Sequence, residues 1–180
     1  GDANQSVNPL SSSTAERIGE VMSRADRVYM HKSYRSTIEI SELAQRIQRN
    51  EDLVPVERHG EEPAFFKCAD EAAELDQVRE LVAAHLKSDH KTLGIICKTQ
   101  AQASRVHAHV KNLAEHIQLI EPDSAIFNEG ITITGAHLAK GLEFDEVILP
   151  FASAENYHSL IDRHMLYVGC TRAMHKLSLT

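Results

Sequence analysis

No stretch of this 180-residue chain approaches the ~20 consecutive apolar residues that a membrane span needs. The opening residues do not read as a signal peptide. Cysteine is scarce and odd in number: Cys68, Cys97 and Cys170 lie far apart in apolar segments. They read as reduced core thiols, as expected of a cytoplasmic protein, and not as a disulfide framework. A basic excess is missing too, because 19 Lys and Arg stand against 26 Asp and Glu, for a net charge of -7. That argues against a non-specific nucleic-acid coat, but leaves room for one basic face on an acidic body.

Complete catalytic signatures are also lacking. No Gly-x-x-x-x-Gly-Lys-[Ser/Thr] phosphate loop occurs; the segment 135–141 comes near it, with Lys140 and Gly141 in reversed order. No apolar strand ends in Asp-Glu to hold magnesium, since Asp145 and Glu146 precede their apolar run. There is no His-Glu-x-x-His, no Cys-x-x-Cys and no Gly-x-Ser-x-Gly, and His107 and His109 read as a helix surface. No metal site is expected, and no hydrolytic centre complete within the chain.

What remains is an ordinary globular composition, 42% hydrophobic and 25% charged. A domain of this size buries roughly 70% of its extended-chain surface. Periodicity predicts helices over 14–22, 70–87, 100–115 and 160–173. It predicts strands over 27–30, 92–97, 131–134, 146–149 and 177–179. Ser36 and Glu39 fit a capping box, followed by Ile40, Leu43, Ala44 and Ile47 at helical spacing. Residues 54–58 and 64–68 read as a hairpin around Gly60. The near-continuous apolar run Thr92 to Cys97 suits a central parallel strand. Alternating strands and helices imply a three-layer α/β domain with a mainly parallel sheet. In such sheets ligands sit at the carboxyl ends of strands, where Tyr34-Arg35, Thr99 and 137–143 are expected to gather.

Each cluster has two readings. In 137–143, Gly141 permits close backbone approach, Lys140 offers a charge for phosphate, and Glu143 can accept from a ribose hydroxyl; equally, the stretch can be a solvated loop. Arg172 can cap the carbonyls of its helix or reach a phosphate across an interface. Tyr34 and Arg35 can stack on a base and hold a phosphate, or cover a sheet edge.

In wording and order these clusters resemble the later motifs of UvrD/Rep-type superfamily 1 helicases. Gly1-Asp-Ala-Asn-Gln-Ser-Val7 is similar to the third motif and Lys32-Ser-Tyr-Arg-Ser-Thr37 to the fourth. Cys97-Lys-Thr-Gln-Ala-Gln-Ala-Ser-Arg105 is similar to an Arg-Thr-Asn-Ala-Gln-Ser-Arg stretch. His137 to Asp145 resembles the fifth motif, and Leu166-Tyr-Val-Gly-Cys-Thr-Arg-Ala173 the sixth. The resemblance spans residues 1–180 and implies a second RecA-like domain, with the phosphate-loop domain outside the chain.

Roles follow from that resemblance. Gln5 would sense the γ-phosphate or its attacking water, and Tyr34 would stack on adenine. Arg35 and Arg172 would stabilise charge at the γ-phosphate. Glu143 would hold the ribose, with Gly141 allowing the approach. Thr99 and His137 would contact single-stranded DNA, with Lys140 on either surface. The cofactor implied is ATP with Mg2+, the magnesium ligands falling on the absent first domain. Partners would be single-stranded or partly duplex DNA and the N-terminal RecA-like domain of the same protein. Departures are Ser33 for the family's Asn, Lys98 for Arg, and a missing insertion between the fourth and fifth motifs. The last, with the wording Cys170 to Leu177, resembles the helicase IV/HelD branch, some of whose members are associated with RNA polymerase. The alternatives are a non-catalytic helicase-like module that binds RNA polymerase or another protein, and a nucleotide-binding domain that moves nothing.

Overall fold

The computed structural model describes residues 20–21, 32–33, 35–49, 54–55, 57–122, 124 and 129–180. In chain order the elements are β1 (Lys32–Ser33), α1 (Ile38–Ile47), β2 (Val54–Pro55), β3 (Ala64–Phe65), α2 (Glu71–His85) and β4 (Thr92–Cys97). Then come α3 (Gln100–Val110), β5 (Ile117–Leu119), β6 (Gly130–Gly135), β7 (Phe144–Leu149), α4 (Leu160–Cys170) and β8 (Ala173–Leu179). Six strands form one sheet in the order β3-β8-β7-β4-β6-β5, and every pairing in it is parallel. β1 and β2 pair separately, also in parallel. Among the described residues no helix is long and apolar enough to cross a membrane.

β4 is the spine. It pairs with β6 along its whole length and with β7 on the other side, and all but its first residue are buried. Its side chains alternate between two cores, as strand geometry requires. Leu93, Ile95 and Cys97 pack with Val78 and Val82 of α2 and Ala103, Val106 and Val110 of α3. Ile96 packs on the opposite face with Ile40 and Ala44 of α1 and Tyr167 and Cys170 of α4. The expected three-layer α/β architecture is therefore the observed one. Gly94 shares the second face, and the Phe144 ring lies where its side chain would be: a Cβ there would stand 2.4 Å from Phe144 Cδ2. Between Phe144 and Glu146 the register with β8 shifts, the extra residue lying on β8 between Ala173 and Lys176, and both Phe144 and Val147 of β7 pack into that core.

Helix starts follow local chemistry. Asp70 caps α2 by accepting from Ala73 N at 2.9 Å, and Thr99 with Gln102, like Ser159 with Asp162, forms a capping box. At α1 the expected capping box shifts by one residue: Thr37 is the cap, and its side chain accepts from Ile40 N. Ser36 instead donates to Ala173 O, and Glu39 accepts from Gly60 N.

Four further expectations are corrected. Residues 54–55 and 64–65 are not a hairpin, because β2 pairs with β1 and β3 with β8. Gly60 serves a different purpose: a Cβ there would lie 2.5 Å from Thr37 Cγ2, so the chain passes close over the α1 cap. The helix 100–115 stops at Val110, and β5, which the sequence reading lacks, follows. The last helix stops at Cys170, after which β8 runs from Ala173. On α2 the spacing of Leu75, Val78, Val82 and Leu86 puts all four on one inward face, but the buried residue near the end is His85, while Leu86 is exposed. Cys97 and Cys170 are buried free thiols and Cys68 is a partly exposed one; burial pushes the Cys170 thiol up to about 12. The strand expected over 27–30, and all but the end of the helix expected over 14–22, lie outside the described residues.

Gly94→Ala should lower the unfolding free energy by about 1–3 kcal/mol, since the Phe144 ring must move within a packed core. A urea titration checks this; an unchanged midpoint would mean that the ring relaxes freely.

Candidate functional site

Parallel strands give the sheet two chemically distinct edges, and the expected site residues divide between them. Six-residue strands such as β4 and β6 hold the edges ~20 Å apart. Thr99 and His137 follow the carboxyl ends of β4 and β6. Glu143 directly precedes the amino end of β7, and Arg172 the amino end of β8. The single gathering at the carboxyl ends therefore does not occur. The cause is that the loop after β6 must return across the sheet before β7 can run parallel to it.

The amino edge brings three segments together. Arg35 Nε donates to Glu143 Oε1 at 2.5 Å, although 108 residues separate them. Both side chains are only partly covered, at 35% and 43% exposure, so a solute can reach the pair. Gly141, two residues before Glu143, has a φ of +91°, and nothing lies within 4 Å of where its Cβ would be. A glycine is needed there for its backbone, and its surroundings are open.

Arg172 behaves differently. It is 1% exposed. Its Nε donates to Val168 O at 3.2 Å, Nη1 to Leu142 O at 3.2 Å and Nη2 to Thr171 Oγ1 at 3.1 Å. Its own carbonyl accepts from Phe144 N at 3.0 Å. The helix-capping reading is thus realised in this conformation, and the same guanidinium ties down the residue before Glu143.

At the carboxyl edge, Thr99 is exposed and its hydroxyl caps α3. The ring of His137 and Oε1 of Gln100 converge over Gly135, 3.0 and 3.2 Å from where a Cβ would stand. Hence Thr99 and His137 share a neighbourhood. Lys140 is exposed in the turn that follows. Lys98 is tethered: it meets Asp162 at 2.8 Å and the Asn156 carbonyl at 2.5 Å. Burial pushes the Asp162 carboxyl up, but Lys98 and the Ser159 cap outweigh it and hold Asp162 at about 2. Gln5 and Tyr34 lie outside the described residues.

A second polar cluster escaped the sequence reading. Glu146 is 6% exposed in the middle of β7. Its Oε1 lies 2.7 Å from His90 Nδ1 and accepts from Ser88 Oγ at 2.9 Å. His85 Nδ1 stands 3.2 Å away, near enough to pair but off the hydrogen-bond axis. Burial pushes the Glu146 carboxyl up, yet His85, His90 and Ser88 together hold it down at about 2. Next door, the ring of His90 stacks on His175, and Asp145 accepts from Lys91 N and Thr92 N. A carboxylate ahead of an apolar run, with one histidine at the end of a helix and another shortly after it, was the available signal. Among the described residues no group of three such side chains is arranged to hold a metal ion.

Comparison with known proteins gives one family match and two structural matches. The family described as UvrD-like helicase C-terminal domain matches residues 130–180. The crystal structure of the C-terminal domain of a possible DNA helicase from Lactobacillus plantarum WCFS1 superposes with a TM-score of 0.68 and 33% identity, covering 82% of this chain and 86% of that one. The UvsW helicase from bacteriophage T4 matches with a TM-score of only 0.42 and 13% identity, over 94% of this chain and 60% of that one. No curated protein matches.

The Glu146 cluster makes acid stability testable. Its folded pKa lies below the unfolded value of 4.5, so its contribution is fully present above that pH and is lost as pH falls toward 2. In Glu146→Gln the unfolding free energy should be lower at neutral pH and its slope flatter between pH 4.5 and about 2. Urea unfolding across that range reads both; parallel curves for the two proteins would remove Glu146 from the acid response.

Proposed function

The chain belongs to the UvrD-like helicase C-terminal domains, and on that premise we propose that residues 1–180 are the second RecA-like motor domain of an ATP-dependent DNA helicase or translocase. The observation that carries the reading is the meeting of Arg35, Glu143 and the Arg172 segment at one sheet edge. The Arg35–Glu143 pair is partly exposed and holds a forked cation beside a carboxylate. Those are the two groups that a phosphate and a sugar hydroxyl require.

ATP fits this edge only in part, as half of a cleft. Arg35 would leave Glu143 for the γ-phosphate and stabilise transition-state charge, freeing Glu143 for the ribose hydroxyls. Gly141 leaves the approach open. Tyr34 would stack on adenine and Gln5 would face the γ-phosphate. Magnesium does not fit the nearest carboxylates: Asp145 is occupied by Lys91, Thr92 and His175, and Glu146 by its histidines. Its ligands, and the phosphate loop, are assigned to the N-terminal RecA-like domain. That domain and Mg2+ would supply electrostatic stabilisation of the transferred phosphoryl group.

Thr99 and His137, with Lys140, would form part of the single-stranded DNA track on the opposite edge. Nucleotide and DNA would then act at the two ends of one rigid sheet, which suits a motor that converts cleft closure into movement along a strand. The wording from Cys170 to Leu177 supports placing the protein near the helicase IV/HelD branch, and a cytoplasmic location goes with that reading. A second reading is a helicase-like module that binds RNA polymerase or another protein without turnover. The burial of Arg172 favours it, because a guanidinium in a residue only 1% exposed, with its nitrogens engaged by Val168, Leu142 and Thr171, is first a structural group.

Arg35→Ala is the cleaner test, since Arg172 also anchors buried carbonyls. In the complete helicase it should cut ATP turnover by roughly 10³-fold or more, with the unfolding midpoint unchanged. Turnover within twofold of wild type would sink the cleft reading. The chain alone should show no ATPase activity and weak affinity for single-stranded DNA, as activity assays and fluorescence titration would measure.

A further inference from the structure

We propose that Ser36 is a positioning residue that sets Arg35 in register with the Glu143 and Arg172 segments; the inference rests on the nucleotide-site reading above. Ser36 is 7% exposed, and its hydroxyl donates to Ala173 O at 2.6 Å across 137 residues of sequence. The helix cap does not use this hydroxyl, because Thr37 performs that task. Ser36 and Arg35 therefore divide the work at the entry to α1. Arg35 reaches the exposed Glu143, while Ser36 turns into the fold.

The acceptor is what gives the bond its meaning. Ala173 directly follows Arg172. The carbonyl of Arg172 receives Phe144 N at 3.0 Å, and its guanidinium donates to Leu142 O at 3.2 Å. Both neighbours of Glu143 are thus fastened to Arg172, and Ser36 fastens the neighbour of Arg35 to the next residue along. Three segments far apart in sequence, at 35–36, 142–144 and 172–173, share one set of hydrogen bonds. The acceptors on β8 are open to this, because β3 pairs with β8 only at Ser178 and Leu179. Arg58 helps from the same side: it donates to Met174 O, and its carbonyl takes Ile38 N at 2.9 Å.

Serine suits the task through its short reach. Its hydroxyl fixes the main chain closely, whereas Arg35 has a long side chain that can move from carboxylate to phosphate. Without the bond, the Arg35 main chain can drift while its side chain remains chemically intact. Misplacement of a catalytic group by about 1 Å can cost on the order of 100-fold in rate. The effect should fall on kcat, because the ribose contact at Glu143 is fastened through Arg172 and not through Ser36.

The test is steady-state ATP turnover of the complete helicase carrying Ser36→Ala, Ser36→Thr or Arg35→Ala, with an unfolding midpoint for each. Ser36→Ala should lower kcat by roughly 10- to 100-fold, with KM for ATP within about twofold and the midpoint lowered only modestly by the one lost buried hydrogen bond. Ser36→Thr, which keeps the hydroxyl, should recover most of kcat. If Ser36→Ala keeps kcat within twofold while Arg35→Ala is inactive, the positioning role is wrong and the nucleotide site stands. If Arg35→Ala also stays within twofold, the site reading itself fails. Should Ser36→Ala not fold, Ser36→Cys takes its place, as a weaker donor of similar size, with the same two outcomes.

Discussion

A guanidinium that is 1% exposed cannot shed its charge, so the protein must surround it with acceptors. That demand organises the half of this fold that carries the candidate site. Val168 O belongs to the last turn of α4, Thr171 to the turn after it, and Leu142 O to the approach to β7. Satisfying Arg172 therefore fixes where α4 ends, where β8 begins and how the chain enters β7. Removing one partner of a buried charge costs far more than the pair contributes net. The polar residues at this edge are held by a constraint they do not themselves generate.

The two sheet edges give this constraint its functional sense. Around Arg172 the amino edge is braced, while the Arg35–Glu143 pair beside it stays reachable. The carboxyl edge has its own brace, in which Lys98 is shared between Asp162 and the Asn156 carbonyl, leaving Thr99 and His137 at the surface. Each edge thus combines a buried charged anchor with exposed polar groups. This arrangement presents side chains at fixed positions while only a few of them stay free to move. On the proposed reading, one edge meets nucleotide and the other nucleic acid.

What the sequence disclosed was largely local. The apolar run at Thr92 to Cys97, the helix starts near residues 70 and 100 and the apolar stripe of α1 are patterns within a few residues, and the structure bears them out. Short strands without such a pattern were opaque: β5 has three half-buried residues, and β2 and β3 take partners far away in sequence. Ser36 and Thr37 are chemically equivalent as caps, and only the position of Ala173 decides between them. The site was legible as a set of residues but not as an arrangement. Motif wording pointed to Arg35, Glu143 and Arg172, whereas their placement on the edge opposite Thr99 depends on the path of the loop 136–143. The Glu146 cluster left only a faint signal for the same reason, because its members come from α2, the following loop and β7.

The sheet's outermost strands have a consequence of their own. β3 contributes two residues and β5 three, so each outermost strand offers little main chain of its own, and on the uncovered start of β8 Ser36 and Arg58 take the carbonyls of Ala173 and Met174. A long, flat flank would act as a template for strand addition, and an abbreviated one does not. Phe65, 66% exposed on β3, remains an adhesive spot on an otherwise truncated border. The parallel core can therefore run six strands wide and still resist growing by accretion into fibres.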